Sequence, residues 1–414
     1  MRRREDLVTP SERWIVPRIA IVGAGIGGLA AAAELSRAGF QVDVYEQAPE
    51  LREVGVGLHL GPNGSRILHR MGLAGQLDRE GVRPDSLEIR DFSDGGTLVR
   101  QPMGACWEEE FGAPYYTIRR ADLHRMLVGR VPGRHLHLNR RLVRYEEHGG
   151  AVLLEFADGT TAEADVLVGA DGIHSVVRRT VAGHDAPVFS GNHALRGTVP
   201  AAAVPSLPPR TLLVWPGPTA RLLLSPDSGG REWTFVGVFE GFEGVGQQAE
   251  SWSSPGDPED LQKLFGDWNP QVKEVVSAVT EVNRWALYDR EPLRRWTRGP
   301  VTLLGDAAHP MLPHHGQGAS QALEDAVALA HALRHGPRGL ARYEAVRRAH
   351  TTRVQLGSRG GGSLRMSRAS SGRQARKDGG RAMSGLLGDV AWIHRYDVAS
   401  ALESPVEDSP IESV

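Results

Sequence analysis

The tightest constraint on the fold is a pair of glycine-and-acid motifs set far apart in the chain. They are Gly23-Ala24-Gly25-Ile26-Gly27-Gly28 and Gly305-Asp306-Ala307-Ala308-His309-Pro310. The first follows an apolar run, Ile19-Ala20-Ile21-Val22, that reads as a buried parallel strand, and it opens an Ala-rich stretch from Gly28 to Phe40 that reads as a helix. A second apolar run, Val42-Asp43-Val44-Tyr45, ends in Glu46. That acid lies about 20 residues past the turn, where a dinucleotide fold places the carboxylate that accepts hydrogen bonds from a ribose 2′-OH. The bound adenosine is therefore expected to lack a 2′-phosphate. Gly23 permits the tight turn, Gly25 lets backbone N–H groups reach a pyrophosphate at the positive end of the helix, and Gly28 lets helix and strand pack closely. In a chain with 50 glycines the motif alone says little; the strand, helix, strand and acid around it make it a dinucleotide site.

With 414 residues, 40% of them hydrophobic, the chain can bury a core for about two or three domains. Its formal net charge of −2 supplies no attraction for nucleic acid or an anionic membrane. The single cysteine, Cys106, allows no internal disulfide and no thiol cluster for zinc or iron–sulfur, which points to a reducing, cytoplasmic compartment. Residues 1–17 begin with a basic run but lack an apolar segment behind it, and read as a disordered leader. No window approaches the roughly 18 apolar residues that a membrane span requires.

A glycine-punctuated segment, residues 55–63, leads into a helix ending near Met71 and suits a loop lying against something flat. Strand-like alternation recurs at 86–90, 97–100 and 115–118, followed by an amphipathic helix over 121–128. A hairpin is expected from 152–156 through the Asp158-Gly159 turn, its return strand running into Asp165-Val166-Leu167-Val168-Gly169-Ala170-Asp171-Gly172. From Ala194 to about Trp285, strands separated by Pro and Gly predict a mostly antiparallel second sheet that covers the cofactor and shapes the substrate pocket. The chain then returns to the first domain through Val301-Thr302-Leu303-Leu304 and a long helix from about Gln317 to Leu333.

The expected organisation is an α/β protein with a discontinuous Rossmann-like domain (18–85, 112–193 and 285–350), a substrate domain (86–111 and 194–284), a C-terminal helical and mobile segment (351–402) and an acidic tail (403–414). Within that segment, 357–385 is rich in Gly, Ser and Arg and reads as solvated and mobile.

Asp306 follows a buried strand and precedes the turn Pro313-His314-His315-Gly316-Gln317-Gly318, which opens a helix. Backbone donors and the positive dipole end at residues 316–318 suit negative charge on a bound ring system. Taken together, Gly23–Gly28 with Glu46, Asp165–Gly172 continuing as Ile173-His174-Ser175-Val176-Val177-Arg178, and Gly305–Met311 with Gly316-Gln317-Gly318-Ala319 and Glu324-Asp325-Ala326 resemble the three fingerprints of the single-component flavoprotein aromatic hydroxylases. The resemblance runs from about Arg18 to Arg353 and is nearest to the 6-hydroxynicotinate, salicylate and 3-hydroxybenzoate hydroxylases. It implies a p-hydroxybenzoate hydroxylase-like fold, FAD as cofactor, and FAD contacts from Gly23, Gly25, Gly28, Glu46, Arg120, Asp171, Asp306, Gly316 and Gly318, with Asp306 on the ribityl hydroxyls. The strand around 219–224 departs from the hydroxynicotinate enzyme, so substrate identity is where the resemblance says least.

The implied reaction uses NADH or NADPH to reduce FAD, and dioxygen then forms a flavin hydroperoxide that hydroxylates a small phenolic or N-heteroaromatic acid. Only one glycine motif has the right helix and acid, consistent with a nicotinamide cofactor that docks transiently. His59 and His314 are the expected proton-handling pocket residues, because histidine titrates near neutrality and both lie in loops expected to approach the ring. Neither His174 nor His309 has metal-ligand spacing. The alternatives are a tailoring oxygenase for a larger indole, quinolone or polyketide, and a non-catalytic flavin-binding redox sensor. The oligomeric state is expected to be monomer or homodimer.

Overall fold

The strand Arg18–Val22 lies inside a six-stranded sheet, its apolar run Ile19–Val22 buried throughout. Gln41–Tyr45 pairs with it on one side and Val166–Gly169 on the other, both parallel. Val301–Leu303 extends the sheet beyond Val166–Gly169, and Leu136–His137 extends it beyond Gln41–Tyr45. The computed structural model describes residues 16–51, 57–241, 254–336, 338–360 and 390–403.

The helix Ile26–Arg37 buries Leu29, Ala30, Ala31, Ala32 and Leu35 and lies against the helix Gly318–Leu333. Their close approach depends on small residues. A Cβ on Gly27 would stand 2.7 Å from Leu304 Cδ2 and 3.1 Å from Ala322 Cβ. Glycine turns, Glu46, Ala170-Asp171 and Leu304–Asp306 all follow the carboxyl ends of the parallel strands, the edge where open α/β sheets bind ligands.

A second sheet has eight strands in the order 254–255, 283–289, 188–200, 232–240, 220–227, 211–216, 86–90, 97–102. It is antiparallel except where Thr211–Pro216 runs parallel to Ser86–Arg90. Strand alternation gives it two faces. One buries Trp215, Leu222, Leu224 and Phe235 under the helices Pro258–Phe265 and Pro270–Ala278. Register places Ala194, Arg196, Arg221, Val236, Val238 and Trp285 on the other. That face packs on Leu312, in the loop leading to Gly318.

Two expectations need correction. The single strand expected from the hairpin through Gly169 is two strands in two sheets. Thr161–Ala164 closes the hairpin, Asp165 turns back to accept the Arg18 backbone N–H at 2.7 Å, and Val166–Gly169 enters the parallel sheet. After the strands at 86–90 and 97–102 comes the helix Ala105–Phe111, driven by burial of Trp107 and Phe111. The start of the expected mobile segment, 357–360, is the last turn of the helix Gly339–Gly360, where Ser358 is buried and donates to the Gln355 carbonyl at 2.6 Å. The remainder, 361–385, lies outside the described residues, as do 1–15 of the expected leader and 404–414 of the acidic tail.

Candidate active site

The glycines of the first turn play two different physical roles. Gly23 has φ +106°, and a Cβ there would sit 2.3 Å from the Ala170 carbonyl oxygen; one on Gly28 would sit 1.9 Å from that of Gly23. Both are needed for the chain to close on itself. Gly25, the residue capping Ile26–Arg37, would meet nothing within 4 Å, so the ground before that helix N-terminus is open. Glu46 already clamps the turn. Its Oε2 accepts the Ala24 N–H at 2.8 Å and its Oε1 the Ala48 N–H at 2.9 Å. Each carboxylate oxygen retains a second lone pair for a hydroxyl. On the other side His124 Nε2 donates to the Ala24 carbonyl at 2.7 Å.

The loop carrying Asp306 is held by a buried ionic network. Gly305 has φ +61° and donates its N–H to Asp325 Oδ2 at 3.0 Å. The same oxygen lies 2.6 Å from His309 Nε2. Arg347 reaches Asp325 Oδ1 at 2.7 Å and also Glu324. Burial pushes the Asp325 carboxyl up, but His309 and Arg347 outweigh it and hold it down to about 2. Glu324 is raised to about 6 because burial exceeds the help of Arg347 and Asn63. Asn63 donates to Glu324 Oε1 at 2.6 Å and to Gln317 Oε1 at 2.9 Å, joining the first turn of the helix Pro62–Arg70 to the start of Gly318–Leu333. Arg178 closes the other side, donating to the carbonyls of Ala307 at 3.1 Å and Ala308 at 3.0 Å.

Asp306 itself is half-buried, its carboxyl raised by burial while His309 and Arg120 favour the ionised form. It lines a cleft with His174, Trp285, Tyr288, Pro310 and Met311. Arg120 also acts on Arg196, which burial and then Arg120 lower to about 10, so Arg120, Arg196 and Asp306 share one electrostatic environment. Asp171 is engaged locally. Its carboxylate accepts from Ser175 Oγ at 2.5 Å and from the Val176 N–H at 2.7 Å, capping Val176–Ala182. Its side chain thus caps this helix, and its backbone N lies 3.1 Å from where a Gly23 Cβ would stand, beside the glycine turn.

The histidines gather around residues 313–318. His59 lies on Gly57–Leu60, paired antiparallel with Tyr116–Arg119, and its Nδ1 is 2.7 Å from the Tyr115 hydroxyl. Burial lowers His59 to about 4 and raises the Tyr115 phenol. Gly316, with φ +61°, passes so close that a Cβ would be 3.1 Å from His59 Cβ. Trp107 and His394 brace the Tyr115 ring edge-on at 5.5 and 6.2 Å. His314 Nδ1 is hydrogen-bonded by Arg221 Nη2 from the second sheet, and burial, Arg221 and His315 lower it to about 3. Gly318 would meet nothing within 4 Å, so the helix N-terminus behind it also faces open ground. The sequence does not single out Tyr115, Arg221, His394 or Asn63. Arg221 is a charged residue set in an otherwise apolar run of its strand.

Open ground at Gly25 and Gly318, a clamped carboxylate at Glu46, and Asp306 in its cleft fit an elongated flavin dinucleotide. The family model described as FAD binding domain matches residues 17–359. The 3-amino-4-hydroxybenzoate 2-monooxygenase of Streptomyces cremeus is 45% identical over 348 residues, covering 83% of this chain and 86% of that one. The 6-hydroxynicotinate 3-monooxygenase of Bordetella bronchiseptica is 39% identical over 76% of this chain and 82% of its own length. A salicylate hydroxylase substrate complex superposes with a TM-score of 0.78 at 29% identity, covering 94% of this chain and 97% of that one. Fold, cofactor cradle and kinship agree: the chain belongs to the FAD-binding-domain family, as one of its flavin-dependent aromatic monooxygenases.

Proposed function

We propose that this enzyme hydroxylates a small aromatic acid bearing a phenolic or equivalent N-heteroaromatic hydroxyl, and that His59 and Tyr115 handle the hydroxyl proton. The 2.7 Å contact between His59 Nδ1 and the Tyr115 hydroxyl, set beside Gly316, carries this reading. Bound FAD, reduced by NADH or NADPH, supplies the activation of dioxygen. Everything else falls to the chain. Gly25, Glu46 and the N-terminus of Ile26–Arg37 hold the adenosine and pyrophosphate; Asp306 and Arg120 hold the ribityl side; the N-terminus of Gly318–Leu333 favours negative charge on the ring. Burial keeps His59 neutral at neutral pH and disfavours the charged ring, so the pair relays the proton along the His59–Tyr115 hydrogen bond, in which the rotatable hydroxyl can both donate and accept. The apolar sheet face with Val236, Val238 and Trp285 supports exclusion of water.

The names of the relatives support a benzoate or nicotinate skeleton. The lone Cys106, which is exposed, supports a reducing cytosol, and we take the enzyme to act as a monomer or homodimer. Among the described residues no helix is long and apolar enough to cross a membrane. The test is stopped-flow reduction of the FAD-loaded enzyme by NADH and by NADPH, with 3-amino-4-hydroxybenzoate, 6-hydroxynicotinate, 3-hydroxybenzoate and larger indole and quinolone compounds. Acceleration by one of the acids, with hydroxylated product in oxygen, is the expected outcome. Acceleration only by the larger compounds would replace the substrate class, and uniformly slow reduction would favour a flavin-binding protein without turnover.

A further inference from the structure

Arg221 and His314 meet across the two halves of the site. Arg221 lies on the strand Ala220–Asp227, opposite Val238, and therefore on the sheet face turned to Leu312 and the His314 loop. Its Nη2 contacts His314 Nδ1. A guanidinium has donors only, so Nδ1 is the acceptor and carries no proton. The one proton of the neutral ring is then on Nε2. Protonating Nδ1 as well would set two donors and two positive charges against each other. Burial acts in the same direction, with His314 held at about 3.

The Nε2 atom is buried and has no hydrogen-bond partner among the described residues. A buried donor left unmet costs about 1–3 kcal/mol, a cost that an oxygen of a bound ligand removes. We propose that Arg221 is a positioning residue that locks His314 in the Nε2–H form, and that His314 donates this hydrogen bond to the carboxylate of the aromatic substrate instead of taking its phenolic proton.

The assignment rests on the aromatic-acid reading above and divides the two histidines by chemistry. His59 faces a hydroxyl that can give or receive, so it can accept a proton. His314 faces a cation that can only give, so it cannot. A neutral donor backed by a guanidinium best serves a group that stays anionic throughout turnover, which a carboxylate does and a phenol does not.

The test compares each of 3-amino-4-hydroxybenzoate, 6-hydroxynicotinate and 3-hydroxybenzoate with its carboxamide, by titrating the flavin absorbance of the FAD-loaded enzyme. Wild type is expected to prefer an acid to its amide. R221M should weaken acid binding about tenfold to a hundredfold, the loss expected for a hydrogen bond to a charged group, and leave amide binding within about threefold. H314Q, which keeps an N–H donor, should bind the acid more tightly than H314F, and its single-turnover hydroxylation should keep the wild-type pH profile. An acid-to-amide ratio unchanged in R221M, or equal acid binding by H314Q and H314F, overturns the assignment while leaving the function standing. If R221M does not fold, the His314 pair decides alone. Wild-type flavin that no aromatic acid perturbs, and no acid accelerates, overturns the substrate class and this assignment with it.

Discussion

Gly25 and Gly23, two residues apart, answer oppositely to an added side chain. Gly25 has extended backbone and open space before it, so Gly25→Val should fold with wild-type circular dichroism yet purify nearly colourless, its side chain filling ground the pyrophosphate needs. Gly23→Val adds a β-branched side chain at φ +106° against the Ala170 carbonyl and should give little folded protein. Equal flavin content in wild type and Gly25→Val would sink the cradle assignment. At His59, the proton-handling role predicts that His59→Gln slows single-turnover hydroxylation about a hundredfold, a typical loss for a positioned acid–base group, while leaving the rate of flavin reduction near wild type. Because His59 is held at about 4, the wild-type hydroxylation rate should stay level from pH 8 down to about 5; an inflection near the ordinary histidine value would contradict that. What separates His59 from His314, a hydroxyl beside one and a guanidinium beside the other, comes from partners 56 and 93 residues away. Nothing in the local sequence around either histidine records them, which is why both read alike from the chain alone.

The helices Gly318–Leu333 and Gly339–Gly360 act as one scaffold through the Glu324–Asp325–Arg347 cluster. Removing only the cation leaves two buried carboxylates, the situation in which breaking a buried pair costs about 3–5 kcal/mol. Arg347→Met should therefore lose about that much stability in chemical denaturation, and should also lose flavin, since Asp325 holds the Gly305 N–H and His309. A variant with wild-type denaturation midpoint would show that the cluster is structurally idle. Elements of this kind are partly legible beforehand. The strand, glycine turn and helix from Arg18 to Arg37 follow from hydrophobic runs and small residues in one local window. Arg347 is one basic residue in a helix with many, and only packing against Gly318–Leu333 distinguishes it. The split of the hairpin from Val166–Gly169 escapes notice for a similar reason: the apolar pattern continues through Asp165, and only the partner strand changes.

For the molecule as a whole, buried neutral histidines set the response to acid. His59, His314, His350 and His394 are held at about 4, 3, 2 and 4. Unfolded histidines take up protons near pH 6.5 that these sites refuse until much lower pH, so their contribution to stability is lost as pH falls from about 6.5 toward 4. Asp227 and Glu324, both raised to about 6, act in the other direction: their contribution is present below the ordinary carboxylate range and is lost as pH rises through 6. His69, His193, His315 and His331 are lowered as well, and Asp171 and Asp306 are raised; among the described residues the lowered histidines outnumber the raised carboxyls and leave the unfolded chain binding more protons. The flavin-free protein should therefore melt at a lower temperature at pH 5 than at pH 7, as scanning calorimetry would show, and an equal or higher melting temperature at pH 5 would refute it.

The pairing of Val166–Gly169 with Val301–Leu303 reaches beyond the folded state to biosynthesis. As the chain leaves the ribosome, the glycine turn, Glu46 and the entire second sheet are translated before the strand that completes the cofactor cradle. Until Val301–Leu303 arrives, one edge of a fully apolar strand stands unpaired, the kind of edge that invites association with other chains. A complete cradle for the flavin therefore exists only after late residues have been translated, and until then this edge is open to association.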